Sequence, residues 1–246
     1  MPSQSPYTPI VSNPPGTRIV GREVRTFDEI DSTNTYVLEH GFEGLAVVAD
    51  RQTMGRGRLG RTWFSAPGLG LWCTVALEGD ARGLVFAAAL AVRDAIAPRC
   101  ALTIKWPNDL LLDKRKVCGI LIEQRGERIA LGIGLNVHHK AEDFPEELRA
   151  KAGSLEMLAG GEWDRAELLR GILTHLDQWV ILLRWGGHDA VRREWAQACN
   201  LVGRRIRCGE SEGVVAGIDD IGALEVDSPG GRIRVVSGDL TVLDGD

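Results

Sequence analysis

Short apolar runs, and only later long amphipathic ones, set the rhythm of this chain. Residues 45–50 form a brief β-branched run, strand-like by length, and residues 62–65 and 70–77 read the same way. Between 84 and 97 the apolar positions recur at the spacing of a buried helix. Strand-like runs return at 102–106, 117–123 and 129–137, divided by turn residues such as Pro107, Asn108, Asp109 and Gly126. Residues 31–40 open on Ser32 and Thr33, good N-cap types, and continue as a short helix. Helical patterning dominates from 145 to 198, above all at 164–185 with Asp164 as its N-cap. From near Leu201 the runs at 204–208, 213–218, 223–227 and 232–236 alternate with Gly, Asp and Pro-Gly turns. That spacing predicts a small barrel of about five strands. A helix as long as 164–185 covers a sheet face, so the pattern predicts the α+β class.

Composition refines the division. Half of the ten prolines fall in the first fifteen residues. Proline removes donors and fixes φ, so residues 1–24 are expected to form an unstructured tail. Residues 25–199 are then the main unit, and residues 200–246 the barrel. A net charge of −5 argues against a general nucleic-acid binder, without excluding a local basic site. The five cysteines are odd in number and form no C-x-x-C pair, which suits buried thiols of a reducing compartment. No signal peptide is visible, and no apolar run approaches the roughly 18 residues that span a bilayer. A soluble, cytoplasmic protein with no membrane partner is expected.

Chemistry concentrates in three places. Gly55, Gly57 and Gly60 match the dinucleotide fingerprint G-x-G-x-x-G, but the residues after them read as a strand, where the fingerprint requires a helix. No Gly-Lys-Ser/Thr follows, so a Walker A loop is absent as well. The loop instead carries Arg51, Arg56, Arg58 and Arg61 with no acidic residue among them. Guanidinium forks grip phosphate oxygens, glycines let backbone amides approach an anion, and Trp63 offers a flat face to a purine. The second place is Lys105-Trp-Pro-Asn-Asp109 at a strand end, where a rigidly held ammonium could stabilise developing negative charge. The third is Asp31-Ser-Thr-Asn34, which serves as a helix cap or, with Gln52, as a set of partners for a neutral polar ligand.

These motifs together resemble the bacterial biotin–protein ligases, the biotin–[acetyl-CoA-carboxylase] ligases, from about Phe27 to Leu243. Arg115-Lys-Val-Cys-Gly-Ile-Leu-Ile-Glu123, Gly132-Ile-Gly-Leu-Asn136 and Ser237-Gly-Asp239 complete the set, in family order. The resemblance implies a mixed sheet with flanking helices, a catalytic domain like that of class II aminoacyl-tRNA synthetases, followed by an SH3-like β-barrel. It implies a ligase that converts biotin and ATP, with Mg²⁺, to biotinyl-5′-AMP and passes biotin to a lysine of a carrier protein. By that likeness Lys105, Arg56 and Arg58 are the catalytic group. Ser32, Thr33, Asn34, Gln52, Arg56, Gly57, Arg58, Lys105, Gly119 and Gly134 would bind biotin. Arg56, Arg58, Arg61, Trp63, Lys105 and Asn136 would hold ATP and the adenylate, with Trp63 near the adenine and Gly132 letting backbone pass close. Neither step requires an enzyme nucleophile, and His138 and His139 are expected to be structural or exposed. The metal's ligands stay open, and the likeness leaves room for a homodimer.

Two departures matter. Leu59 stands where some relatives are basic. The segment before Phe27 is too short and proline-rich for the helix-turn-helix domain of bifunctional members, so no nucleic-acid partner is expected. A lipoate or octanoyl ligase of the same superfamily and a biotin-responsive DNA-binding regulator are the rival readings.

Overall fold

The structure is a computed structural model describing residues 16–244; residues 1–15, with the tail's proline cluster, lie outside the described residues. Seven strands form one sheet: β1 (Glu23–Ile30), β2 (Leu45–Gln52), β3 (Gly70–Glu78), β4 (Thr103–Lys105), β5 (Asp109–Leu112), β6 (Arg115–Arg125) and β7 (Arg128–Asn136). Their order is β1-β2-β3-β7-β6-β5-β4. β1 and β2 run parallel, and every other pair is antiparallel, which makes the sheet mixed, as the family resemblance implies. The helices are α1 (Thr33–His40), α2 (Leu84–Ile96), α3 (Leu155–Ala159), α4 (Arg165–Arg184) and α5 (His188–Cys199). Ser32 caps α1 by accepting from the Thr35 amide, and Asp164 caps α4 by accepting from the Ala166 and Glu167 amides.

Alternation along the strands sorts the two faces of this sheet. Leu71, Cys73 and Val75 of β3 and Leu131, Ile133 and Leu135 of β7 point to one side, where α2 and α4 bury them. Each fully buried Leu or Ile contributes about 1.5–3 kcal/mol, and this is the main core. The opposite face is covered only in part. Val47, Ala76 and Ala130 pack there beneath Val37 and Leu38 of α1. The remainder of that face, where glycines replace larger residues, is left to the loop between β2 and β3.

Several expectations need correction. Residues 62–65 are not a strand; a single bridge pairs Arg56 with Thr62 inside the loop, and a 3₁₀ turn spans Arg58–Gly60. β2 already has β1 and β3 on its two sides, so no edge is open to a strand there. β5 lies outside the strand-like runs, its four residues following directly on a proline turn. The ordered chain also starts ahead of residue 25. The backbone amides of Arg18, Ile19 and Val20 donate to the Asp177 carboxylate of α4 at 2.9, 2.7 and 2.8 Å, and β1 begins at Glu23.

The C-terminal strands β8 (Arg205–Cys208), β9 (Ser211–Ile218), β10 (Leu224–Ser228), β11 (Gly231–Val235) and β12 (Leu240–Val242) form a second, antiparallel sheet in the order β11-β10-β9-β8-β12. Trp106, at the end of β4, donates its indole N–H to the Gly222 carbonyl at 2.7 Å and so joins the two sheets. Among the described residues no helix is long and apolar enough to cross a membrane. Four cysteines are buried, Cys100 is half-buried, and all five are free thiols.

Candidate active site

The partly uncovered face of the first sheet carries a row of residues aligned across the strands. Trp72 of β3 registers with Gly134 of β7, Gly134 with Gly119 of β6, Gly119 with Asp109 of β5, and Asp109 with Lys105 of β4. Residues directly opposite one another in an antiparallel pair share a face. The next row holds Thr74, Gly132 and Leu121, about 7 Å along the strands at the usual rise.

Glycine is required in both rows by what lies above them. A Cβ on Gly119 would come within 2.8 Å of the Trp63 ring and 3.2 Å of Lys116 Nζ, and one on Gly134 within 2.6 Å of Trp63. A Cβ on Gly132 would collide with the Asn34 amide. Trp63 therefore lies flat against β6 and β7, edge-on to Trp72 at 6.2 Å between centroids, rather than on open solvent.

Above the second row runs an unbroken polar chain. Gln52 Oε1 accepts from the Thr33 amide at 2.9 Å and lies 3.0 Å from the Thr33 hydroxyl, while Gln52 Nε2 donates to Ser65 Oγ at 3.0 Å. The buried Thr74 hydroxyl donates to Asn34 Oδ1 at 2.6 Å and stands 2.7 Å from Thr33 Oγ1, so the Thr33 proton can serve either Gln52 or Thr74. Asn34 Nδ2 donates to Glu123 Oε2 at 2.8 Å, and the same oxygen meets Arg56 Nη2 at 3.1 Å. Four of the sequence-derived residues, Thr33, Asn34, Gln52 and Arg56, are thus one connected unit, and Ser32 joins them as the buried cap of α1.

Two residues in this unit and beside it belong to the Arg115–Glu123 motif, which the sequence singles out without giving either of them a role. Glu123 is one. The other is Lys116, whose ammonium sits 5.1 Å from the Trp63 centroid and 2.6 Å from Asp109 Oδ1. Strict alternation would put Lys116 and Gly119, three apart, on opposite faces. The β5–β6 register shifts between Leu110 and Leu111, so Val117 is an extra residue, buried together with Cys118. The bulge re-aims Lys116 onto the site face.

Lys105 lies in the first row but two strands out from Gly119, about 10 Å at ordinary strand spacing, and it is exposed. Among the loop arginines, Arg51 pairs with Glu29 at 2.7 Å and Arg58 donates to Asn108 Oδ1 at 3.2 Å. Gly57 and Arg61 close the hairpin through the Gly57 amide and the Arg61 carbonyl at 2.7 Å, and Arg61 is exposed. Asn136 is buried at the end of β7 and donates to the Gly153 carbonyl at 3.0 Å. His138 contacts Glu156 at 2.7 Å, and His139 is buried against Phe144 and Trp72. Burial lowers the His139 pKa to about 4, which keeps it neutral. Among the described residues no group of three or more His, Cys, Asp or Glu could hold a metal ion.

Comparison with known proteins gives a consistent set of relatives. The model of the biotin/lipoate A/B protein ligase family matches residues 26–139. The biotin–[acetyl-CoA-carboxylase] ligase of Paracoccus denitrificans is 36% identical over 82% of this chain and 93% of its own. The bifunctional ligase/repressor BirA of Bacillus subtilis is 33% identical over 91% of this chain and 75% of its own. A biotin protein ligase from Aquifex aeolicus, solved in complex with biotin and ATP, superimposes with a TM-score of 0.79 at 28% identity, over 91% of this chain and 100% of that one.

Proposed function

The chain belongs to the biotin/lipoate A/B protein ligase family, close to its biotin–[acetyl-CoA-carboxylase] ligases, and we propose that it activates biotin with ATP and transfers it to a carrier-protein lysine. One observation carries this reading. Along β6 the site runs from a neutral polar cluster at Thr33, Asn34 and Gln52, across the flat Trp63–Gly119–Gly134 surface, to the Lys116 ammonium. Biotin has the same order of parts: a ureido ring, an apolar bicycle and chain, and a carboxylate.

In the first step a biotin carboxylate oxygen bonds to the α-phosphorus of ATP and the bond to pyrophosphate breaks, leaving biotinyl-5′-AMP. In the second a carrier lysine nitrogen attacks the acyl carbon, the bond to AMP breaks, and the amine loses its proton. Thr33, Asn34, Gln52 and the backbone at Arg56 hold the ureido end. Lys116 stabilises the carboxylate and the charge that develops at phosphorus, with Lys105 outside it on the same face. Arg58 and Arg61 close the loop over the intermediate, and Asn136 lies at the nucleotide end. Neither step uses an enzyme nucleophile; the catalytic contributions are positioning and charge. Mg²⁺ would be held chiefly through nucleotide phosphates and water, as it commonly is, since the described residues offer no carboxylate cage. The first sheet with its helices is the catalytic unit, β8 to β12 form an SH3-like barrel beside it, and the protein works in the cytoplasm.

The test is direct. Protein, biotin and MgATP are incubated with a biotin carrier domain, and intact mass is measured. One added biotinyl group on the carrier lysine is expected; its absence, or equal labelling with lipoate, would overturn the assignment.

A further inference from the structure

We propose that Glu123 is a positioning residue for biotin recognition, anchoring the base of the arginine loop to the polar chain that meets the ureido ring. This rests on the function proposed above. A single carboxylate oxygen joins two parts of the site that are far apart in sequence. Glu123 Oε2 accepts from Asn34 Nδ2 at 2.8 Å and pairs with Arg56 Nη2 at 3.1 Å. Asn34 leads through Thr74 and Thr33 to Gln52, and Gln52 leads through Ser65 back to the loop's other stem, where Ser65 Oγ donates to the Trp63 carbonyl at 3.3 Å. The circuit closes where Trp63 N–H donates to the Gly55 carbonyl at 2.9 Å, one residue before Arg56. The stems of the loop are therefore held between Gln52 on one side and Glu123 on the other.

The electrostatics make Glu123 more than a tether. Asn34 is almost fully buried; the Glu123 carboxylate at 2.8 Å and the Leu121 carbonyl at 3.4 Å only accept, and together they turn Nδ2 toward β6 and Oδ1 toward Thr74, the carboxylate making the shorter, charge-assisted bond. That choice fixes the direction of donation along the chain as far as Thr74, and with it the pattern offered to a ligand that both donates and accepts. The same charge occupies the Arg56 guanidinium, which removes Arg56 from the phosphate-gripping set and makes its backbone the useful part. Phosphate and carboxylate charge is then left to Lys116 and the other loop arginines.

Glu123→Gln tests this, because it keeps the side chain's size while removing the charge and replacing an acceptor-only group with an amide that can also donate. In biotin-dependent ATP–pyrophosphate exchange, KM for biotin should rise about tenfold, the loss expected of one charge-assisted hydrogen bond, with kcat and the KM for ATP nearly unchanged. Arg56→Gln should raise the biotin KM similarly, and the double variant should be no worse than either alone, since both remove one ion pair. An unchanged biotin KM, an equal rise in the KM for ATP, or effects that multiply in the double variant would overturn the inference. Should Glu123→Gln fail to fold, Arg56→Gln reads the pair from its other side and the same criteria apply. Wild-type protein without biotin-dependent exchange would instead overturn the function on which the inference rests.

Discussion

Lys116 and Asp109 form an ion pair at the point where the carboxylate of biotin is proposed to meet ATP. Removing the ammonium leaves the developing charge without its cation and frees Asp109 to repel it. Lys116→Ala should lower biotin-dependent ATP–pyrophosphate exchange by about 10²–10³-fold, as for loss of an oxyanion donor. Lys105→Ala, two strands further out, should cost less than about tenfold; a larger loss in Lys105→Ala than in Lys116→Ala would reverse the two roles. His139 gives a second residue-level test. Its folded pKa, about 4, lies below the roughly 6.5 of an unfolded histidine. Between those values the unfolded chain binds the extra proton, so stability falls as pH drops from about 6.5 to 4, by up to about 3 kcal/mol from this group. His139→Phe, keeping the stack on Phe144, should flatten Tm against pH in that window; parallel curves for the two proteins would show that His139 does not titrate as described. At this scale the caps and hydroxyls were legible, because Ser32, Thr33 and Asn34 act where they stand in sequence. Lys116 was not. A strand read with period two puts it on the wrong face, and the bulge at Val117 that corrects this arises from pairing with β5.

The loop between β2 and β3 behaves as an element in its own right. Its glycines and arginines were legible as an irregular, basic segment, but the engagement of each arginine was not, since Glu29, Asn108 and Glu123 all come from elsewhere. Arg58 reaches Asn108 at the β4–β5 turn, and Leu59 beside it holds a left-handed φ of 56° while largely exposed. A non-glycine residue held in the left-handed region carries about 1–3 kcal/mol of backbone strain. Arg58→Gly removes the tie and adds backbone freedom, both favouring an open loop. Each lost 1.4 kcal/mol speeds escape of the intermediate about tenfold if it falls on the off-rate. Arg58→Gly should still form biotinyl-5′-AMP yet label serum albumin more than wild type does. Normal adenylate formation with wild-type albumin labelling would remove Arg58 as the latch. Residues 62–65 depart from their strand-like pattern for a related reason: aromatic and β-branched content favours a strand only where an edge is free to pair.

Across the whole molecule, the α+β class and the terminal strands were legible because alternation and turn residues are local signals. Long-range ties were not. The Asp177 carboxylate clamps three backbone amides 157 to 159 residues away, and the Trp106 indole meets Gly222 across 116 residues. Asp177→Ala strands those donors in a largely buried setting and should cost about 2 kcal/mol or more. Thermal unfolding should show Tm lower by several degrees with the biotin KM unchanged; an unaltered Tm would show that water satisfies those amides equally well.

Trp63 rests against the glycines of β6 and β7 with an ammonium beside its ring, and this gives the protein an optical property. A cation near one end of an excited indole shifts the energy of its emission, and occupation of the adjoining surface must change that pairing. Ligand arrival should therefore be visible in intrinsic fluorescence without any label, and stopped-flow emission would time biotin binding and adenylate formation separately. Trp63→Phe should silence the signal while the other six tryptophans keep emitting.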